Sequence, residues 1–112
     1  MTLAQTIKYS GKRSNDGVGG QIVVRNGRRL SPRASQKLHN HSPDGFNWGY
    51  GGSGPAQLAL ALLYNATHDN DLSLRYYQRF KWEHVSQWGN SWEITDRMIL
   101  DWLGRQAAVE GW

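Results

Sequence analysis

The sequence predicts a single α+β domain, a small antiparallel sheet of about three strands followed by three helices. The first forty residues contain β-branched runs and a strong hairpin signal. A glycine-rich connector spans residues 41–54, and apolar residues recur at helical spacing over residues 55–106. Because the chain has 112 residues, we expect one modest hydrophobic core and no second domain.

The basic β part, residues 1–40, is expected to hold strands at 6–9, 21–25 and 28–30. The dipeptide Asn26-Gly27 separates the last two strands, and it favours a type I′ turn because both residues tolerate positive φ. Turn-forming residues fill positions 11–20. Residues 31–45 show no sustained period and contain Ser-Pro twice, so we expect an irregular connector there.

The first predicted helix covers residues 55–66, because Pro55 suits the first helical position and leucines follow at helical spacing. A second helix is expected to start near residues 69–71, where carboxylates suit the helix N-terminus. The segment WGNSWEIT is expected to be a loop, and Thr95 to cap a third helix over residues 96–106. The expected buried stripes of the second and third helices are Leu72, Leu74, Tyr76, Tyr77 and Phe80, and Met98, Ile99, Trp102 and Leu103.

Charge is divided unevenly along the chain. Residues 1–40 carry eight lysines and arginines against one acidic side chain, a net charge of +7, whereas residues 41–112 carry five basic and eight acidic side chains, a net charge of −3. This asymmetry indicates an anionic partner for the first part, with Arg25, Arg28, Arg29 and Arg33 as its basic surface. Alternatively, the basic part packs against the acidic part of the same chain.

The composition excludes several classes of site and location. The chain has no cysteine, which removes disulfides, thiolate metal sites and cysteine nucleophiles. The longest apolar run, residues 58–64, is too short to span a membrane, and no secretory signal is visible at the N-terminus. A cytoplasmic protein without a membrane association is the simplest interpretation.

The stretch HSPDGFNWGYGGSGPAQLALALL places four candidate anion-binding residues, Gly51, Gly52, Ser53 and Gly54, just before a helix. Amides at a helix N-terminus favour anions, and glycines permit close approach of a phosphate or carboxylate. The pattern matches neither the Walker loop nor the dinucleotide fingerprint. The alternative is a tight turn in which glycine lets aromatic rings close over the backbone.

Phe46, Trp48 and Tyr50 alternate with smaller residues, so an extended segment would place the three rings on one face. Exposed, they would form a platform on which bases stack, whereas facing inward they would belong to the core. We therefore assign His41, Trp48 and Tyr50 to stacking or support of the site.

Two chemical alternatives use the same region. Ser53, His41 and Asp44 contain the residue types of a hydrolase triad, although the glycine expected two places after the serine is Pro55. His39, His41 and Asp44 could ligate a metal in an extended segment, but the more ordinary role of such histidines is a hydrogen bond that ties the connector to the glycine-rich turn. We expect no metal and no cofactor.

The glycine-rich stretch, followed by YYQRFKWEHV and by closing tryptophans, resembles a family of small bacterial and phage-associated proteins known as a domain of unknown function. The resemblance extends from about Ile7 to Leu103. It implies a shared fold and a prokaryotic or mobile-element setting, and it implies no activity.

These observations predict a non-enzymatic protein that holds an anionic partner through its basic hairpin and the glycine-rich helix N-terminus. The partner would be nucleic acid, a phosphorylated ligand, or the acidic face of a host protein such as a defence complex. The rival interpretations are a small hydrolase that uses Ser53, His41 and Asp44, and a structural subunit of an oligomer with the aromatic stripe at its interface.

Overall fold

The computed structural model describes residues 6–14 and 20–110, which form an α+β domain as predicted. A four-stranded antiparallel sheet packs with helices around one core. In chain order the elements are β1 (Lys8–Lys12), β2 (Val23–Arg25), β3 (Arg28–Arg29), α1 (Arg33–Leu38), α2 (Ser53–Thr67), α3 (Asn70–Glu83), a 3₁₀ turn (Val85–Gln87), β4 (Ser91–Thr95) and α4 (Asp96–Val109).

The sheet has the order β3-β2-β1-β4, so the strand that follows α3 pairs with the first strand of the chain. Lys8 lies opposite Thr95, and Lys12 lies opposite Ser91. The predicted loop at WGNSWEIT is therefore wrong. Trp92 and Ile94 are buried and alternate with exposed neighbours, which is strand periodicity, but the segment is too short for that period to stand out beside Gly89 and Asn90.

The predicted hairpin between β2 and β3 is confirmed. Asn26 and Gly27 have φ values of 48° and 83°, as a type I′ turn requires, and Arg25 lies opposite Arg28. The first strand begins at Lys8 instead of residue 6. Part of the predicted turn-rich segment, residues 15–19, lies outside the described residues.

The connector contains a short helix, α1, that the sequence did not predict. Its six residues are fewer than two turns, too few to display a helical period. Ser35 is its buried residue, and its hydroxyl donates to the carbonyl of Pro32 at 2.8 Å. Leu38 packs against the edge of the core.

The central element is α2, which begins at Ser53, two residues before the predicted start. Every residue from Gly54 to Leu63 is buried. A helix that is apolar all round belongs inside a protein, and α2 indeed contacts α1, α3 and α4. The predicted first helix is thus confirmed, and it forms the middle of the core.

The two remaining helices carry the predicted caps. The Asp69 carboxylate accepts from the amide of Leu72, and the Thr95 hydroxyl accepts from the amide of Met98. Two members of the predicted buried stripes are exposed instead, Leu74 on α3 and Met98 on α4. In residues 6–14 and 20–110, no helix has the length and apolar character needed to cross a membrane.

Candidate anion-binding surface

The glycine-rich turn lies beneath two aromatic rings. A Cβ atom on Gly51 would lie 2.3 Å from the Trp82 ring, and one on Gly52 would lie 2.5 Å from the Tyr50 ring. Both rings are about half exposed, Trp82 at 58% and Tyr50 at 49%. Glycine is therefore needed here because the rings pack directly on the backbone, as the turn interpretation proposes.

A buried lysine holds the same turn from the other side. Lys81 on α3 is 7% exposed, and its ammonium donates to the carbonyl of Gly51 at 3.2 Å. The ammonium also lies 4.3 Å from the centroid of the Trp82 ring, a cation–π contact. Within the described residues, Lys81 forms no ion pair with a carboxylate. The Lys81 ammonium is thus held by the Gly51 carbonyl and the face of the Trp82 ring.

A polar cleft of about 290 Å³ opens at the start of α2. Ser53 and Gly54 line it, together with Asn47, Tyr50 and Asp44. The first amides of a helix have no intrahelical acceptor, so this cleft offers donors to a ligand. The Asp44 carboxylate opposes a negative charge there. Of the four predicted anion-binding residues, two line a cleft and two lie under rings.

His41 is held by two buried neighbours. Its Nε2 lies 2.5 Å from the hydroxyl of Tyr77, and its backbone amide donates to the Gln57 side chain at 2.8 Å. The ring also stacks on His39 with centroids 4.0 Å apart. His41 is thus hydrogen-bonded, the ordinary kind of role predicted for these histidines, but its partners Gln57 and Tyr77 lie on α2 and α3 and not in the glycine-rich turn.

His41 should make stability depend on pH. Burial of the ring lowers its pKa below the ordinary 6.5, and the charges of His39 and Lys81 lower it further. His41 therefore binds a proton at a higher pH in the unfolded chain than in the folded protein. As a result, the free energy of unfolding should fall as pH drops through 6.5, and it should level off below the pKa that His41 has in the folded protein. Urea unfolding at pH about 7.5 and about 5.5 measures this loss.

The variant His41→Gln keeps a partner for Tyr77 and removes the titrating ring, so it should show a smaller loss between the two pH values. Some loss should remain, because burial also lowers the pKa of His84. An unchanged pH dependence in His41→Gln would assign the effect to other groups.

The hydrolase trio is not assembled. Ser53 and Asp44 line the polar cleft, but His41 is not among the residues that line it, and its Nε2 contacts Tyr77. Among the described residues no hydrogen bond links Ser53 to His41 or His41 to Asp44. A serine without a base in contact is a weak nucleophile.

The three predicted stacking aromatics divide between core and surface. Phe46 and Trp48 are buried at 2% and 0% exposure, and the Trp48 indole donates to the carbonyl of Gly89 at 2.7 Å. Tyr50 alone of the three is exposed. The shared face predicted from their spacing is therefore wrong, because the backbone leaves the extended form after Trp48, where Gly49 has a φ of 86°. Trp48 is a core residue and offers no exposed face on which a base could stack.

Arg25 is tied to the edge of the core. Its Nε donates to Asn65 at 2.9 Å, and the same oxygen accepts from the Tyr9 hydroxyl at 2.6 Å. Burial raises the pKa of Tyr9 to about 12, so this hydroxyl stays protonated as a donor. Arg25 therefore joins the sheet to α2 and is half-buried.

The other predicted cations are exposed and lie together in sequence on β3 and α1. We define the basic surface as Arg28, Arg29, Arg33 and Lys37. Arg33 and Lys37 are four residues apart and share one face of α1. In the part of the chain that the structure describes, none of the four pairs with a carboxylate. The alternative that the basic part packs against acidic residues is therefore wrong for these four side chains.

Two grooves flank the basic surface. One of about 420 Å³, the β3 groove, is lined by Arg29, Arg33, Gln36 and Asp44. The other, of about 660 Å³, is the α1 groove, and it lies along the other side of Arg33 and Lys37. Asp44 lines both the β3 groove and the polar cleft at α2. The two predicted halves of the site are therefore neighbours, with a carboxylate between them.

Sequence reasoning missed three residues that shape this region. Gln57 interrupts an apolar helical run, which is a readable signal for a buried polar contact. Lys37 repeats Arg33 at helical spacing, but α1 itself was not predicted. Trp82 gave no signal that it would lie over Gly51. Among the described residues no group of three or more histidines and carboxylates is placed to hold a metal ion.

Comparison with known proteins identifies a family for this chain. A model of a family of unknown function matches residues 9–105, most of the chain. No curated protein and no solved structure matches the chain. The match carries no activity, so the functional argument depends on the surfaces described above.

Proposed function

The chain belongs to DUF6166, a family of unknown function, and we propose that it is a non-enzymatic binding protein that holds an anionic partner on the basic surface. The partner is nucleic acid, a phosphorylated ligand or the acidic face of a host protein. The proposal includes a cytoplasmic location and a prokaryotic or mobile-element origin, both of which depend on the sequence alone.

One observation carries this proposal. Four exposed cations occur within ten residues of β3 and α1, and in the described chain no carboxylate neutralises them by an ion pair. Like charges held close together repel one another, and an anionic partner relieves that repulsion. The grooves on either side give the partner surface to enter, and their volumes fall in the range of ligand sites.

The role of the α2 N-terminus is smaller in this proposal than the sequence indicated. Ser53 and Gly54 can donate to an anion that extends past Asp44, but Gly51 and Gly52 are covered by rings. The basic surface therefore supplies the main attraction, and the polar cleft is an extension of it.

Removing two central cations tests the proposal. The double variant Arg29→Gln/Arg33→Gln should bind a fluorescein-labelled oligonucleotide and a labelled polyglutamate peptide at least about tenfold more weakly, at about 50 mM salt. Fluorescence anisotropy measures both affinities. Wild-type binding should also weaken steeply as salt rises, because contacts between cations and a polyanion release counterions.

The matched control is Arg97→Gln/Arg105→Gln, which removes the same charge from exposed positions on α4. It should weaken binding less than about threefold if attraction is local. Equal losses in the two double variants would show that net charge alone attracts the probes. Absence of binding to both probes at low salt would overturn the proposal.

A further inference from the structure

The α1 groove combines an apolar floor with a cationic edge. Leu30 and Leu38 form part of the floor and pack against the core from behind. Ala34 lies between them, and the Tyr64 side chain of α2 closes the far side. Most of the lining surface is apolar. Ala34 and Leu38 are four residues apart on α1 and share one face of the helix, and Leu30 lines the same groove from the segment before α1.

The positive charges of the α1 groove lie on the side formed by α1. Arg33 and Lys37 stand along α1, whereas Asn70 lines the opposite wall at the start of α3. A partner in this groove therefore meets positive charge on its α1 side and a neutral amide side chain on its α3 side.

We propose that the α1 groove docks a short segment of a partner protein in which apolar side chains alternate with carboxylates. The apolar side chains lie on Leu30, Ala34 and Leu38, and the carboxylates face Arg33 and Lys37. This inference depends on the proposed anionic partner and narrows it to a protein. Charge complementarity with the α1 edge and the apolar character of the floor both support it.

The shape of the groove favours a protein segment over the other anionic ligands. A small ligand binds where the site encloses most of its surface, but this groove is open to solvent along one side. A protein segment brings further surface that covers it. Bases bind by stacking on flat rings, and the floor is built mainly from aliphatic side chains, with Tyr64 as the one ring.

Two labelled peptides of about 12 residues and equal charge test the inference by fluorescence anisotropy. In one peptide leucine alternates with glutamate, and in the other each leucine is replaced by glutamine. The wild-type protein should bind the leucine peptide at least about tenfold more tightly, because only that peptide buries apolar side chains on the floor. A labelled oligonucleotide of similar charge is the third probe.

The variant Ala34→Gln places a long neutral side chain in the groove without changing the charge. Ala34 is exposed, and glutamine is a good helix former, so the fold should be kept. We expect Ala34→Gln to lose the preference for the leucine peptide. The matched control Ala108→Gln, at an exposed position on α4, should retain it.

The outcomes separate the two proposals. Equal binding of both peptides, weakened equally by Arg29→Gln/Arg33→Gln, would overturn the groove inference and keep the anionic-partner proposal. Tighter binding of the oligonucleotide than of both peptides, unaffected by Ala34→Gln, would also overturn the groove inference and would favour nucleic acid. Failure of all three probes to bind at low salt would overturn both proposals.

Discussion

Replacing Gln57 with leucine should lower the free energy of unfolding by about 3 kcal/mol, the largest effect that we expect from a single substitution. Gln57 is fully buried, and its side-chain oxygen accepts from the amides of His41 and Ser42 at 2.8 and 3.1 Å. Its nitrogen donates to the Ser35 hydroxyl at 2.9 Å and to the His39 carbonyl at 3.2 Å. Leucine fills similar space but cannot bond any of these four groups, of which the Ser35 hydroxyl keeps its bond to the carbonyl of Pro32. Urea unfolding measures the change.

The matched control is Gln78→Leu on α3, where the side chain is exposed. The same chemical change should alter the free energy of unfolding by less than about 0.5 kcal/mol there. If the two variants lose similar stability, the four hydrogen bonds of Gln57 are replaced by others after substitution, and the argument for its role fails.

Replacing Gly11 with alanine should destabilise the protein by about 2 kcal/mol, because the new methyl group has no room. A Cβ atom at Gly11 would lie 2.7 Å from the indole nitrogen of Trp92 and 2.9 Å from the Trp48 ring. Trp88 stacks on Trp92 with centroids 4.2 Å apart, so Trp92 cannot retreat without disturbing a second ring. Thermal or urea unfolding measures the loss.

The contrasting variant is Gly104→Ala in the exposed part of α4, where a Cβ atom would meet no heavy atom within 4 Å. Alanine favours the helix there, so stability should rise by about 0.5–1 kcal/mol. The critical result is that the two alanine substitutions change the free energy of unfolding in opposite directions, with Gly11→Ala lowering it and Gly104→Ala raising it. An unchanged stability in Gly11→Ala would mean that the tryptophan cluster shifts at little cost.

The parts of the fold that sequence predicted correctly are those specified by local chemistry. The Asn26-Gly27 turn, the helix that follows Pro55 and the Thr95 cap each depend on a few neighbouring residues. The strand at Ser91–Thr95 was missed because it forms by pairing with Lys8–Lys12, about eighty residues earlier, and such pairing leaves little local signal.

The candidate site was predictable in its charge and not in its contacts. The excess of cations in the first forty residues predicted a basic surface, and three of the four arginines named for it are exposed. Arg25 differs because Asn65, forty positions away, supplies its acceptor. The rings over Gly51 and Gly52 likewise depend on tertiary packing, which spacing along the chain does not encode.

Because α2 is buried on every side over residues 54–63, its main role is to stabilise the fold, and most exposed residues lie on other elements. Since these residues are buried, α2 can reach a partner only near its ends, through Ser53 and Gly54 at the polar cleft and Tyr64 at the α1 groove. Of the outer elements, α1 packs on α2, and β3 pairs with β2 at the edge of the sheet. The exposed side chains of these two outer elements add little to the core, so substitutions there should leave the interior and its stability nearly unchanged.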